Sequence, residues 1–502
     1  MLTPSDNLSS SSLKSNVKEL SKHSFIYGVG VLSRLSSFIL LPIHTAYLSQ
    51  HDYGVLTLVL SFIGIATVFT TYGLNVSFLR WYVPETDAQE RKRIFSICYY
   101  GIAGVTLLLT VIIVISSQPL ATVLLRNASY KPMLLLAGFI LLMDSLFHFP
   151  QILLQAQKNS LGYIGVVFLN VTLNLGLSYY FIVQRGFGIS GVLYSALIAG
   201  FAAFVVTIPL VLRNLTLHFA FDKYKEFVKY GIPYVANYLF VVLIDLSDRF
   251  LLERFLDTEK VALYSANYKL GAIMAIVVNA FRLAWHPFFL SLSNSPDAKR
   301  TFGRVFSYFF LLSCGLFLFI SIFIEDIVRV NIGGFHLIAE QYWGGTFIIP
   351  WILFSYIISG SYVIFAAGIH ITKNTKYTPL FTGAGILTNI VANIILIPLL
   401  GIYGAAISTA LGYGVMTIVQ YFAVQKFYYV KYEFDRILKV LVSTAIVFSA
   451  YKLFFTESDF GVKSALLLAY PIVLYLFRFY LKSEWNEIKS LSLKLFGRAN
   501  QN

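Results

Sequence analysis

Long apolar runs alternate with short polar connectors along almost the whole chain. About fourteen runs reach the roughly 20 residues that a helix needs to cross a bilayer. The strands of a membrane β-barrel would be shorter and would alternate between apolar and polar side chains, so these runs are predicted to be transmembrane helices. The pattern therefore predicts an all-α integral membrane fold. The predicted transmembrane spans cover residues 24–48, 55–79, 94–116, 132–157, 161–183, 188–212, 229–252, 262–291, 304–324, 343–371, 377–399, 402–425, 436–455 and 462–481.

Positive charge is divided unevenly between the connectors. Every second connector, together with both tails, holds 26 of the 38 Lys and Arg, whereas the remaining connectors hold 8. Since Lys and Arg mark the cytoplasmic side of membrane proteins, this bias predicts that the N-terminus and the C-terminus are both cytoplasmic. The end of the bundle formed by the connectors with few charges is called the predicted outer end below.

The composition excludes several classes of protein. Only 12% of the residues are charged, about half of what a soluble protein carries. The net charge of +14 does not indicate nucleic acid, because it lies in connectors that flank the membrane. Cys98 and Cys314 lie within apolar runs and indicate neither a disulfide framework nor a metal site. Residues 1–23 are expected to be a cytoplasmic tail, because they lack the pattern of a cleaved signal peptide.

The connectors leave no room for a soluble domain. None exceeds about 20 residues, and no GxxxxGK[ST] motif is present, which excludes ATP hydrolysis by a P-loop. We therefore expect no enzymatic activity and no cofactor. Any energy for transport must come from an ion gradient, the membrane potential or the substrate gradient.

Two similar connectors indicate an internal repeat. Residues 47–55 and 254–264 each contain a leucine, a short acidic stretch and small residues entering a long helix, and they lie 208 residues apart. Ordinary loop resemblance would also account for one such match. Parallel repeats of six helices are typical of transporters, with the substrate site at their interface. The predicted domains are the tail 1–23, a six-helix N-lobe 24–215, a six-helix C-lobe 216–430, and 431–502 with the last two helices and the C-terminal tail.

Three cations inside predicted spans are candidates for an anion site. An ionisable group in hydrocarbon is costly unless it faces a partner or a water-filled cavity. Arg34 lies about ten residues into the first span, too deep to snorkel out, and either binds an anionic headgroup or pairs with an acid. Arg282 shares a helix face with Asn279 and His286, which favours a polar cavity surface. Lys269 lies thirteen residues earlier and either faces that cavity or snorkels to the interface.

Acidic residues cluster on the seventh span. Asp245, Asp248 and Arg249 have spacings of three and four, which place them on one helix face. They either bind a coupling cation or proton, or form an internal salt bridge between Asp248 and Arg249 while the other acid pairs with a neighbouring helix. Asp245 is the deeper acid and the stronger candidate for a functional role.

The fourth span carries a second titratable pair. Asp144 and His148 lie one turn apart and are followed by Pro150. A carboxylate beside an imidazole can titrate near neutral pH, and it can equally form a stable hydrogen-bonded pair at a kink. Both interpretations stay open.

Three stretches resemble one transporter family. They are residues 30–42 (GVLSRLSSFILLP) running on to 53–54 (YG), residues 72–82 (YGLNVSFLRWY), and residues 248–252 (DRFLL) continuing through 264–269 to 284–288 (AWHPF). The chain resembles bacterial polysaccharide-biosynthesis flippases of the Wzx type, within the multidrug/oligosaccharidyl-lipid/polysaccharide exporter superfamily. The likeness covers nearly the whole chain in the number and order of helices.

This resemblance implies a function and a location. It implies two six-helix lobes around a central cavity and movement of an undecaprenyl-pyrophosphate-linked oligosaccharide from the inner to the outer face of the bacterial plasma membrane. It implies cavity cations as functional residues, which Arg34 and Arg282 match best, because a guanidinium suits phosphate. Membrane lipids, a polysaccharide polymerase and glycosyltransferases are the implied partners, and the coupling ion, H⁺ or Na⁺, is left open.

Three rival functions fit parts of the pattern. A drug or metabolite exporter of the same superfamily would use a carboxylate-dominated pocket. Asp144 and Asp245 are consistent with such a pocket. A lipid II flippase would share fourteen helices and a cationic cavity. An O-antigen polymerase or ligase would carry a large outer loop, whereas the longest outer loop here is 325–342.

Overall fold

The long apolar runs fold into helices, as their pattern predicts. The computed structural model describes residues 32–217, 219–293, 295–456 and 458–481, without the side chains of residues 32–37 and 332. Almost all of the described chain is helical. The strands within it are the two-residue β1 (Asn331–Ile332) and β2 (Phe335–His336), which pair antiparallel.

The helices follow one another with short connections. The first part of the described chain forms α1 Leu32–Tyr47, α2 Gln50–Thr71, α3 Leu74–Tyr82, α4 Ala88–Ile115, α5 Ser117–Leu125, α6 Lys131–Ala156, α7 Ser160–Tyr179 and α8 Gly188–Asn214. The second part forms α9 Phe221–Phe255, α10 Thr258–Gly271, α11 Ile273–Leu292, α12 Ala298–Arg329, α13 Ile349–Ile371, α14 Thr378–Leu400, α15 Ile402–Phe427, α16 Phe434–Phe454 and α17 Phe460–Leu476. Short 3₁₀ segments cover Ala128–Tyr130, Glu340–Ile348 and Thr375–Tyr377, and a π-helical turn covers Tyr180–Gln184.

Each predicted span corresponds to a helical segment. Within the described ranges, twelve helices are long and apolar enough to cross a membrane, and two shorter apolar helices, Phe38–Tyr47 and Phe460–Leu476, lie where the first and last spans were predicted. The prediction of an all-α, multi-span membrane fold is confirmed. The lobe boundaries at residues 215 and 430 stay a prediction.

Two of the predicted spans are interrupted. The second span breaks where Tyr72 ends α2 and Gly73, with a φ of 82°, begins α3. The eighth span breaks at Ala272, between α10 and α11. There Gly271 lies so close to α13 that an added Cβ would be 2.6 Å from the Cβ of Ile352. The second break separates Lys269 from Arg282, so the two cations belong to different helices.

Helices from the two parts of the chain meet at the predicted outer end. The start of α2 packs against the start of α10 so closely that a Cβ on Gly54 would lie 2.1 Å from the carbonyl oxygen of Thr258. The Nε2 of Gln50 donates to the carbonyl of Gln341 at 2.6 Å, and the backbone N–H of Ala339 donates to Oγ1 of Thr45 at 3.3 Å. These contacts close the bundle at that end.

A second meeting point lies at the far end of α2. Gly73 contacts the backbone of Gly231 on α9, and a Cβ on Gly73 would lie 2.2 Å from the Gly231 carbonyl oxygen. The Ser77 hydroxyl donates to the Phe227 carbonyl at 2.7 Å. The start of α2 therefore packs on α10, whereas its far end and α3 pack on α9.

Candidate functional site

A carboxylate surrounded by tyrosines lies at the centre of the second part of the chain. Oδ1 of Asp245, on α9, accepts hydrogen bonds from the hydroxyls of Tyr268 at 3.1 Å, Tyr356 at 3.1 Å and Tyr413 at 2.8 Å. These tyrosines come from α10, α13 and α15, so four helices converge on one oxygen. Three donated hydrogen bonds stabilise an ionised carboxylate without neutralising it.

The neighbouring acid on α9 is held by a cation. Oδ1 of Asp248 lies 2.9 Å from Nη1 of Arg249, and both side chains are buried. The Tyr264 hydroxyl donates to the other carboxylate oxygen of Asp248. The Arg249 guanidinium lies 4.6 Å from the centroid of the Tyr268 ring and donates to the Asp245 carbonyl oxygen. The structure therefore has the internal salt bridge that the sequence offered as one alternative.

Helix α10 brings two of the tyrosines together. The side chain of Asp257 accepts a hydrogen bond from the Lys260 N–H at 2.7 Å, which caps the first turn. Tyr264 and Tyr268 are one turn apart, so their rings share the face that packs on α9. The helix also carries Lys269, whose Nζ lies 5.6 Å from the centroid of the Tyr53 ring on α2. Lys269 is half-buried, and its ammonium lies beside a ring from the first part of the chain.

Helix α11 carries the predicted polar stripe. Arg282 and His286 are exposed, and Asn279 is half-buried, with its amide donating to the Ala275 carbonyl at 2.8 Å. The His286 ring lies 5.4 Å from the ring of His370, at the end of α13. The stripe therefore ends in two imidazoles from neighbouring helices.

Arg282 connects this stripe to the tyrosine cluster. Its charge acts on the hydroxyls of Tyr362 and Tyr413, and Tyr413 is one of the three donors to Asp245. The stripe and the acid cluster are therefore electrostatically linked through one tyrosine.

The remaining predicted residues lie elsewhere. Arg34 belongs to α1, but its side chain lies outside the described residues, so its role stays a prediction. On α6, the Nδ1 of His148 is hydrogen-bonded to Oε1 of Gln151 at 2.7 Å. Asp144 lies against α8, where a Cβ on Gly200 would be 3.2 Å from Oδ1 of Asp144. The described hydrogen bonds do not join Asp144 to His148.

The tyrosines around the acids were not predicted as site residues. The chain contains 33 tyrosines, and nothing in the sequence separates those that contact Asp245 from those at membrane interfaces. One signal was present for α10, because Tyr264 and Tyr268 lie at helical spacing beside Lys269. Tyr356 and Tyr413 reach Asp245 only through the packing of α13 and α15 on α9.

Comparisons with known proteins identify a sequence family and a fold. A family model described as "Polysaccharide biosynthesis protein" matches residues 20–293. No curated protein sequence matches the chain significantly. The structure resembles "Lipid II flippase MurJ, inward closed conformation", with a TM-score of 0.72, 14% identity, and coverage of 90% of this chain and 98% of that chain.

Two MATE transporters have a similar fold. An inward-facing MATE family transporter of the MOP superfamily gives a TM-score of 0.64 at 14% identity, covering 82% of this chain and 95% of that chain. A mutant of the Vibrio cholerae MATE transporter VcmN gives a TM-score of 0.59 at 17% identity, covering 82% and 97%. At these identities the likeness shows the fold, which is that of MOP-superfamily transporters.

Proposed function

The chain belongs to the polysaccharide biosynthesis protein family, and from that membership we propose that it is a flippase for a lipid-linked oligosaccharide. The substrate is an undecaprenyl-pyrophosphate-linked repeat unit, which the protein moves from the cytoplasmic to the outer face of the bacterial plasma membrane by alternating access. Its N- and C-termini face the cytoplasm. A polysaccharide polymerase and glycosyltransferases act after and before this step.

The exposed stripe on α11 carries this proposal. Arg282 and His286 are exposed on α11, whose other residues are mostly apolar, and His370 adds a second imidazole at the end of the stripe. A guanidinium flanked by imidazoles suits the pyrophosphate group, because its planar fork matches phosphate oxygens and the imidazoles add donors. Asn279 and the predicted cavity cation Arg34 complete the proposed headgroup site.

The closed predicted outer end supports a state that receives substrate from the inner side. Helices α2 and α10 are in direct contact there, and the side chain of Gln50 donates to the Gln341 carbonyl. The lipid tail stays in the bilayer while the sugar and pyrophosphate enter between the lobes. Alternating access then requires these contacts to separate.

The acid cluster is the proposed coupling element. Asp245 is half-buried among hydroxyls and has no salt bridge within the described residues, whereas Asp248 is neutralised by Arg249. A carboxylate oxygen surrounded by tyrosine hydroxyls offers hard oxygen ligands to Na⁺ and an acceptor to a proton. Tyr413 donates to Asp245, and the charge of Arg282 acts on the same tyrosine. Binding of a cation or proton at Asp245 and binding of the anion at Arg282 therefore influence each other. Asp144 and His148 are a weaker second candidate.

The test is the position of the lipid-linked precursor across the membrane. In a strain without this gene, surface glycan should be lost and the precursor should remain on the inner face. Arg282→Gln should reproduce that defect and Arg282→Lys should partly restore export. Arg185→Gln, which removes an exposed arginine at the end of the π-helical turn, is the matched control and should export normally. Normal surface glycan with Arg282→Gln would refute the headgroup site.

Two other substrates are separated by the same measurement. The MurJ likeness favours lipid II as the alternative, in which case the cell-wall precursor accumulates and the surface glycan precursor does not. The likeness to multidrug transporters favours a cationic drug or metabolite, in which case neither precursor accumulates and drug sensitivity rises. Precursor that reaches the outer face unpolymerised would indicate a polymerase.

A further inference from the structure

A segment from the second part of the chain crosses the predicted outer end and lies against α1. This segment, residues 337–343 between β2 and α13, is called the outer strap here. The backbone N–H of Ala339 donates to Oγ1 of Thr45 at 3.3 Å, and Nε2 of Gln341 donates to the Thr45 carbonyl at 3.2 Å. Nε2 of Gln50 donates in return to the Gln341 carbonyl at 2.6 Å. The outer strap is therefore hydrogen-bonded to the end of α1 and to the start of α2.

These bonds satisfy the C-terminus of α1. The helix ends at Tyr47, so the Thr45 carbonyl lies in the last turn, where carbonyls have no partner within the helix. The Thr45 hydroxyl is fully buried and donates to the Leu41 carbonyl at 2.9 Å, which leaves its oxygen free to accept from the strap. Gln341 is therefore a helix cap that comes from a distant part of the chain. Because water replaces such partners when a protein surface opens, each bond favours the closed state only modestly.

On its other side the outer strap is fixed to the second part of the chain. Asn267 on α10 is fully buried, and its Nδ2 donates to the Tyr342 carbonyl at 2.9 Å. Gly345, just after the strap, lies so close to α10 that an added Cβ would be 2.4 Å from Nδ2 of Asn267. Ile338 is fully buried, and its carbonyl accepts from the Trp343 indole N–H at 2.9 Å. The strap is therefore packed against α10 from within the core.

Two ring contacts follow the boundary with the first part of the chain. The ring of Tyr47, at the end of α1, lies 5.6 Å from the ring of Phe335 on β2, and Tyr53 on α2 meets Tyr342 edge-on at 5.6 Å. The Tyr47 side chain is 44% exposed, so water already reaches this boundary. The contact between the strap and α1 therefore consists of hydrogen bonds and ring edges, whereas the contact between the strap and α10 is buried.

We propose that the outer strap is a latch that sets the balance between the closed and the open outer end. This inference rests on the proposed flippase function and adds where the outer end parts. The end of α1 leaves the strap in each transport cycle, while the strap stays on α10. Weakening the bonds to Thr45 then favours the open state, because a contact made in only one of two states shifts their populations. Holding the strap on the first part of the chain stops the cycle.

A buried alanine at the outer end can report the open state. Ala262 on α10 is fully buried and lies one turn after Thr258, which contacts Gly54 on α2. A thiol in Ala262→Cys is therefore shielded while the outer end is closed. In nanodiscs of phosphatidylcholine, its rate of reaction with a maleimide measures how often that end opens. The native cysteines Cys98 and Cys314 are buried, and the protein without the reporter gives the background rate.

The labelling experiment removes the strap bonds one at a time. Thr45→Val deletes the acceptor of the Ala339 N–H, and Gln341→Met deletes the helix cap. Each should raise the labelling rate about fivefold, as expected for the loss of one hydrogen bond. Thr45→Ser keeps the hydroxyl and should label at the native rate.

A second buried threonine controls for general loosening of the fold. The Thr207 hydroxyl on α8 donates within its own helix, to the Phe204 carbonyl at 2.8 Å, so Thr207→Val should label at the native rate. Native labelling rates in both Thr45→Val and Gln341→Met would overturn the latch. An equal rise in Thr207→Val would overturn it too, because the effect would then not come from the strap.

The export experiment holds the strap in place. Gln50→Cys combined with Gln341→Cys is joined by a short bifunctional methanethiosulfonate, which should stop export of the lipid-linked oligosaccharide until a reductant releases it. Gln118→Cys with Lys131→Cys is the matched control, because both residues line one surface pocket within the first part of the chain, and it should export while cross-linked. Normal export by the cross-linked strap would overturn the latch and leave the flippase function standing. If gene deletion leaves surface glycan intact, the proposed function fails, and the labelling rates, which need no substrate, decide the latch.

Discussion

Removing Arg249 should leave a buried, uncompensated carboxylate. Asp248 is fully buried, its Oδ1 lies 2.9 Å from Nη1 of Arg249, and the Arg249 side chain is only 8% exposed. Breaking a buried ion pair from one side typically costs about 3–5 kcal/mol, because the remaining charge keeps its desolvation penalty. We therefore expect Arg249→Met to lower the free energy of unfolding by about that amount, even though methionine fits among aromatic rings.

Neutralising both partners should recover most of this loss. In the double variant Asp248→Asn with Arg249→Met, the amide oxygen still accepts from the Tyr264 hydroxyl, and no charge remains to be desolvated. As a surface control, Arg93→Met removes an arginine that is 47% exposed and paired with Glu90, and should cost less than about 1 kcal/mol.

The buried cysteines report unfolding without added labels. Cys98 and Cys314 are free and buried, so a thiol-reactive dye reacts with them only as the protein unfolds in detergent. The single variant should unfold at a clearly lower denaturant concentration or temperature, and the double variant close to the native protein. A double variant as unstable as Arg249→Met, or an Arg249→Met protein within about 1 kcal/mol of the native one, would refute the uncompensated-charge argument.

Two further predictions concern helix ends and crossings. Gly73→Ala should be strongly destabilising or block transport, because Gly73 has a φ of 82° and a Cβ would lie 2.2 Å from the Gly231 carbonyl oxygen. Gly104→Ala is the control, because a Cβ on Gly104 would have no atom within 4 Å. Equal unfolding midpoints for the two variants in the dye assay would contradict this prediction. Asp87→Ala should cost about 1 kcal/mol, because the Asp87 carboxylate caps two backbone N–H groups at the start of α4. The same dye assay measures it, and an unchanged midpoint would show that the cap contributes nothing.

The helical spans were predictable because hydrophobic length reports directly on membrane crossing. Their interruptions were less visible. The α2–α3 break needed the positive φ of Gly73, and the α10–α11 break follows from close packing of Gly271 on α13, a contact with a residue far away in the chain. The face shared by Asp245, Asp248 and Arg249 also followed from helical spacing alone.

Partners across helices were not predictable from spacing. The sequence left Asp248 and Arg249 between a salt bridge and a coupling site, and the structure places them in a salt bridge. It gave no reason to choose Tyr356 or Tyr413 as donors to Asp245. For His148, spacing on α6 indicated Asp144, whereas the structure hydrogen-bonds it to Gln151.

The sequence by itself determined that the chain is a membrane protein and that its apolar runs are helical, because these properties depend on local length, period and charge. Only the tertiary structure decided which charges are neutralised, since pairing depends on how α9, α10, α13 and α15 are oriented around one another. It also decided that the Lys269 ammonium lies beside the Tyr53 ring of α2. Contacts between distant segments set these outcomes, and one-dimensional spacing carries no information about them.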